Sequence, residues 1–235
     1  MAIPLRFAAP PFDAEEPDSA AVAAALEEDI LLGRLLPRER LLGEALAARF
    51  RVSRNAVRRA LALLAQRGIV TLAPNRGAQV RDFTEDEIAD LVETRAVLQR
   101  HAAGQLPLPA PPALLAQLEA AAAAHLAAIR ARDLPAVLAA NATFHDTLFR
   151  AAGNAVVADA IAQLSWLLTI IRAYRMSDPA TLEAGALGHA DMVAALRAGD
   201  GGRLLAAVAA HGSSAAIIAA RRMSWRWKGE VVRLG

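Results

Sequence analysis

Apolar positions in the stretch from Leu46 to Leu64 recur with the period of a helix, not a strand. Val57, Ala60, Leu61 and Leu64 stand at i, i+3, i+4 and i+7 and so share one face, while Arg54, Asn55, Arg58 and Arg59 form two i,i+4 pairs on the other. Ser53 suits the N-cap of this helix, and Leu46, Ala47 and Phe50 suit a short preceding helix that packs on its apolar face. Arg51 and Val52 are left for a tight turn, which gives a helix-turn-helix. After Gly68 the pattern changes. Ile69, Val70, Thr71 and Leu72, then Ala73, Pro74, Asn75, Arg76 and Gly77, then Ala78, Gln79 and Val80 predict two short strands around a Pro/Asn/Gly turn, the wing of a winged helix.

Upstream, residues 1–19 are Pro-rich and polar and read as a loose arm. Residues 20–32 predict a helix with Val22, Ala25, Leu26 and Ile30 inward, and with Glu27, Glu28 and Asp29 partly outward, bracing the helix-turn-helix. Downstream, Thr84 to Glu87 form a capping box that opens a long helix to about Ala103, where Gly104 and Pro107 stop it. Five further helices are punctuated by Pro111 and Pro112, by Asp133, by Asn154, by Asp178 and Pro179, and by Asp200, the last ending near Met223. No strand interrupts them. The expected fold is mainly α, an N-terminal winged helix-turn-helix followed by an antiparallel bundle of about six helices. The expected divisions are an arm at 1–19, a DNA-binding domain at 20–81, a helical effector-binding and dimerisation domain at 82–223, and a basic tail at 224–235.

Charge sharpens the reading of the first domain. Residues 34–81 carry eleven arginines against Glu39 and Glu44. The flanking segments are acidic, −6 over 1–33 and −5 over 82–220, and 221–235 carries +4. A basic charge confined to the helix-turn-helix is what phosphate binding requires. Hydrophobic residues make up 55% of the chain, yet many are alanine, which favours helix more than membrane. The nearest approach to a membrane span is 204–220, interrupted by His211, Gly212, Ser213 and Ser214, and the N-terminus lacks a signal-peptide pattern, so a cytoplasmic protein with no membrane partner is expected. The absence of cysteine excludes disulfides, thiolate metal sites and cysteine nucleophiles.

The segment from Pro37 to Val80 resembles, along its whole length, the N-terminal domain of GntR-type bacterial transcription regulators. The family pattern Ser-Arg-Thr-Pro-Val-Arg-Glu-Ala-Leu is kept at Ser53, Arg54, Val57, Arg58, Ala60 and Leu61, and departs at Asn55, Ala56 and Arg59. The resemblance implies operator DNA as partner, with Arg54 and Arg58 as base or phosphate contacts and Gly77 as the wing tip near the minor groove. Residue chemistry agrees, since Arg pairs bidentately with guanine and Asn with adenine. Ser53, Arg54, Asn55, Arg58, Arg59, Arg76 and Gly77 are the candidate DNA-binding residues. The departures leave the fold reading intact but leave the operator sequence open.

In the helical half, His145, His189 and His211 stand at helical positions, with Asn141 one turn before His145. Three neutral imidazoles and an oxygen ligand suit zinc, nickel or another late divalent ion; on spacing alone, the three are equally polar residues on alanine-rich helices. Residues 82–222 resemble the FCD effector domain of the FadR branch of GntR regulators, through Asn141-Ala-Thr-Phe-His145-Asp-Thr-Leu148, His189 and His211. In that family an Asp-x-x-x-His pair and two later histidines hold a metal that helps bind a carboxylate effector. Carried over, the ligand set is Asn141, His145, His189 and His211, and the amide of Asn141 is a poorer ligand than the usual carboxylate. Arg95 matches an arginine common on the domain's first helix, either gripping an effector carboxylate or forming a structural ion pair. Trp225, Arg226, Trp227 and Lys228 form a basic aromatic tail, suited to DNA or a partner subunit, or merely an exposed end.

These features describe a homodimeric, ligand-responsive DNA-binding regulator, a repressor rather than an activator, and not an enzyme. Two other readings stay open. One is a metal-dependent hydrolase with an accessory DNA-binding domain, although no HExxH pattern occurs and Asp146, adjacent to His145, points about 100° away. The other is a regulator whose bundle only dimerises.

Overall fold

The computed structural model describes residues 17–73, 77–172 and 179–211. The chain forms two compact units that divide after Glu87.

In the N-terminal unit, α1 (Pro17–Leu31) and α2 (Gly43–Phe50) both pack on α3 (Arg54–Gln66). The face predicted for α3 is its buried face: Val57, Ala60, Leu61 and Leu64 are all in the core, joined by Ala56. Ser53 caps this helix by accepting from the Ala56 N–H at 3.0 Å. Arg51 makes the tight turn in the left-handed region, φ 55°, and the Val52 N–H returns to the Ala47 carbonyl.

The predicted hairpin is β2 (Val70–Ala73) against β3 (Gly77–Val80), in antiparallel register from Val70↔Val80 to Ala73↔Gly77. A third strand was not foreseen. β1 (Arg40–Leu41) pairs with the other edge of β3, giving the order β1-β3-β2. Two residues are too few for a period-2 pattern, and only Leu41 is buried, so no alternation marked it. Gly77 sits at φ 79°, a conformation that an L side chain adopts with strain; a Cβ there would touch nothing, so the glycine serves the backbone. Residues 74–76, with Arg76, lie outside the described residues.

The expected outward position of Asp29 is overturned. Its side chain is 4% exposed and pairs at 2.6 Å with both Arg34 and Arg49. These partners come from the loop after α1 and from α2, so one buried carboxylate ties α1 to the helix-turn-helix. Charge alone suggested solvent for Asp29; two arginines supplied by tertiary folding make burial tolerable.

The boundary helix α4 (Glu85–Ala103) opens on the predicted capping box: the Glu87 N–H donates to Thr84 Oγ1 and the Thr84 N–H donates to the Glu87 carboxylate at 2.8 Å. Burial alone would raise the Glu87 carboxyl, but the Thr84 N–H and Arg81 outweigh it and hold it below its usual range. Then come α5 (Pro112–Ala131), α6 (Leu134–Arg150), α7 (Ala155–Arg172), α8 (Pro179–Ala198) and α9 (Gly201–His211). Asp133, Asn154 and Asp200 cap α6, α7 and α9 by accepting from backbone N–H groups at 2.9–3.1 Å. α5 packs on α6 and α8, α6 on α7, and α8 on α9, around a core that includes Leu118, Phe144, Leu148, Phe149 and Leu196.

Among the described residues, α5 is long and apolar enough to cross a membrane by length and composition, while 204–220 runs beyond them. Alanine supplies that hydropathy, and Leu118, Ala121, His125 and Ala128 form a buried stripe against the bundle. The predicted end of the last helix beyond His211, and the Trp/Arg tail, lie outside the described residues.

Candidate functional site

The outer face of α3 carries the candidate DNA contacts. Ser53, Arg54, Asn55, Arg58 and Arg59 are all exposed, as a reading head requires. Two of the arginines are already oriented: Arg58 Nη2 donates to Asn55 Oδ1 at 2.7 Å, and Arg54 pairs with Glu44 of α2 at 2.8 Å. Arg54 and Glu44 are 77% exposed, so the pair is worth well under ~1 kcal/mol and Arg54 can exchange Glu44 for a phosphate or base.

In the C-terminal unit three helices bring their histidines together. His145 of α6, His189 of α8 and His211 of α9 present ring nitrogens within 4.8 Å of one another. His145 Nε2 lies 3.1 Å from His211 Nε2 and 3.3 Å from His189 Nε2. Bonds of about 2.0–2.1 Å to a tetrahedral ion place ligand atoms about 3.3 Å apart, so the two spacings from His145 suit a divalent ion of zinc's size. His189 is fully buried, stacked on Phe144 with ring centroids 4.0 Å apart. Asn141 lies one turn before His145 on α6 and is half-buried. Arg95 is buried on α4, in the stripe that also holds Leu91, Val92, Gln99 and Ala102. Gln99, one turn from Arg95, was not anticipated.

Nor was the fourth imidazole. His125 of α5 is 3% exposed, and its ring lies 4.8 Å from that of His189. A signal existed: His125 follows Leu118 by seven residues and Ala121 by four, which puts it on the core face.

The glycine before His189 has a tertiary reason. A Cβ on Gly188 would stand 2.4 Å from His211 Nδ1 and 3.3 Å from two ring carbons, so α8 must carry glycine for the His211 ring to lie against it. Gly188→Ala is expected to displace that ring and weaken zinc binding about 10–100-fold, as misoriented ligands do, measured by competition with a chromophoric chelator. The alanine favours the helix, so the metal-free melting temperature should hold or rise.

Burial favours the uncharged form of His189 and of His125. Burial first, then the neighbouring His211 and His125, push His189 down to about 2, and burial lowers His125. Unfolded histidine titrates near ~6.5, so below that pH the unfolded chain holds more protons than the native one. The stability of chelator-treated protein is therefore expected to be complete above about pH 6.5 and to fall on acidification, by up to ~1.4 kcal/mol per pH unit for each site. Urea midpoints taken from about pH 7 down to about pH 5 check this, and His189→Phe should flatten the slope.

Residues 18–80 match the model of bacterial regulatory proteins of the gntR family, and residues 90–214 match the FCD domain. The chain belongs to the GntR family and carries an FCD domain. Relatives by sequence include the HTH-type transcriptional regulator BphR of Paraburkholderia xenovorans, 39% identical over 80 residues, 34% of this chain and 33% of that one. An HTH-type regulator from the ttuE-ttuC' intergenic region of Agrobacterium vitis is 31% identical over 112 residues, 46% of this chain and 66% of that one. This GntR chain thus aligns with a third to two thirds of their lengths. In fold it is similar to McbR/YncC of E. coli, with TM-score 0.70 and 21% identity over 88% of this chain and 98% of the other. A GntR regulator from Rhodococcus sp. RHA1 gives 0.68 and 23% over 86% and 97%.

Proposed function

We propose that this GntR regulator is a metal-assisted sensor of a small organic acid and acts as a repressor. The convergence of His145, His189 and His211 on one point inside the helical domain is the observation that carries the sensing half. As a homodimer it places two α3 helices in successive major grooves of a pseudo-palindromic operator, with Arg54, Asn55, Arg58 and Arg59 facing the DNA and Arg76 and Gly77 in the wing. Ser53 holds the N-terminus of α3 in register. In the helical domain His145, His189 and His211 hold zinc or nickel, with Asn141 as a neutral fourth donor, and Arg95 grips the effector carboxylate. The ion supplies a positive centre with open positions for that carboxylate. An effector that favours the wrong spacing of the two reading heads by a few kcal/mol releases the operator.

Among the described residues the histidine group contains no carboxylate that could serve the hydrolase reading as general base, and Asp146 pairs with Arg150 at 2.8 Å.

The test is a thermal shift of chelator-stripped protein with divalent metals, then with small carboxylic acids with and without the best metal. A ligand at a hundred times its dissociation constant adds about 2.7 kcal/mol, a shift of several degrees for a chain of this size. Acids should stabilise only with metal present, and His145→Ala should remove both effects. Stabilisation by acids without metal would leave Arg95 as the anchor. A melt that nothing shifts would reduce the bundle to a dimerisation module.

A further inference from the structure

The tautomer of His189 leads to one more residue. A histidine that turns Nε2 toward a cation carries its proton on Nδ1, and that N–H needs an acceptor when it is buried. His189 is 0% exposed, and its Nδ1 has no hydrogen-bond partner among the described residues. Among the described residues four rings lie against it. Phe144 offers no acceptor, and His145 and His211 belong to the ligand set. The fourth is His125, whose own Nδ1 is also buried and without a hydrogen-bond partner among the described residues.

The spacing suits a direct bond. The two imidazole pairs with nitrogens 3.1 and 3.3 Å apart have ring centroids 4.9 and 5.1 Å apart. The His125 and His189 centroids are 4.8 Å apart, so a small ring rotation brings nitrogen to nitrogen. α8 also accommodates the ring: Gly185, one turn before His189, leaves His125 Cε1 at van der Waals distance from where a Cβ would stand.

We propose that His125 is a positioning residue for the metal centre, accepting at Nδ1 the hydrogen bond that His189 donates from its Nδ1. The inference rests on the metal reading given above. A set of three neutral imidazoles lacks the anionic ligand that would otherwise strengthen binding, so an acceptor behind His189 that raises its basicity and locks its ring has a large effect. His125 touches neither ion nor effector in this role.

Three proteins test it: wild type, His125→Phe, which keeps a ring but removes the acceptor, and His125→Asn, whose amide oxygen can take the place of Nδ1. Zinc dissociation constants come from chelator competition, and the His189 Nδ1–H proton of the zinc-loaded protein is observed by NMR. The Phe variant should bind zinc about 10–100-fold more weakly and lose the downfield, exchange-protected Nδ1–H signal, while the Asn variant recovers most of the affinity. Equal zinc affinity in the Phe variant and wild type would overturn the role of His125 and leave the metal centre standing, as would a Phe and an Asn variant weakened alike. A wild-type chain that binds no zinc or nickel would remove both.

Discussion

Phe144→Ala is expected to destabilise the helical domain by about 3–5 kcal/mol, the usual cost of emptying a buried aromatic site. The ring is fully buried in a cluster with Leu118, Leu148, Phe149 and Leu196, so helices from both sides would have to move to fill the space. It is also the platform on which His189 stacks, with an interplanar angle of 19°. The variant should therefore lose zinc affinity as well as stability, because His189 gains rotamers that point away from His145 and His211. Leu148→Ala is the control: Leu148 is equally buried but carries no ring for His189 to stack on. Its loss of stability should come without a comparable loss of metal affinity. Urea midpoints of chelator-treated protein and chelator competition separate the two effects, and a loss below about 1 kcal/mol for Phe144→Ala would mean that the bundle collapses into the gap.

Arg58→Ala is expected to weaken operator binding by about 1–3 kcal/mol per protomer and to relax preference at one base position, if its guanidinium reads a base. Asn55 holds that guanidinium in place beforehand, so less side-chain entropy is lost on binding. Arg58→Lys keeps the charge but not the bidentate fork, so it should keep the salt dependence of binding and lose much of the sequence preference. A purely phosphate-directed Arg58 would behave differently: Ala would weaken all sequences alike and lower the salt slope by about one per contact, and Lys would be nearly silent. Fluorescence anisotropy on operator and scrambled duplexes at several salt concentrations distinguishes the outcomes.

The capping residues show what a linear reading can reach. Ser53, Thr84, Asp133, Asn154 and Asp200 all bond N–H groups three residues on, and the residue pattern marked each as a helix start. The recognition-helix core is of the same kind, since Val57, Ala60, Leu61 and Leu64 meet through helical geometry. The histidines are different. His145 lies 44 residues from His189 and 66 from His211, and no periodicity relates them; the family resemblance, not spacing, put them in one set. His125 falls outside that resemblance, and its place on the core face of α5 does not by itself mark it as a neighbour of His189.

The sequence by itself determined what is settled within one or two helical turns: the helices of both units and their caps, the wing hairpin, the arginine face of α3, and the concentration of positive charge beside it. Propensity, capping and i,i+4 contacts act between near neighbours, so the order of residues suffices to read them. Only the tertiary structure decided that Asp29 is buried between two arginines, that β1 closes the sheet, that Gly188 makes room for His211, and that His125 stands behind His189. Each depends on the packing of separate elements, where an ångström of displacement decides whether two side chains meet, and helical periodicity carries no information at that distance.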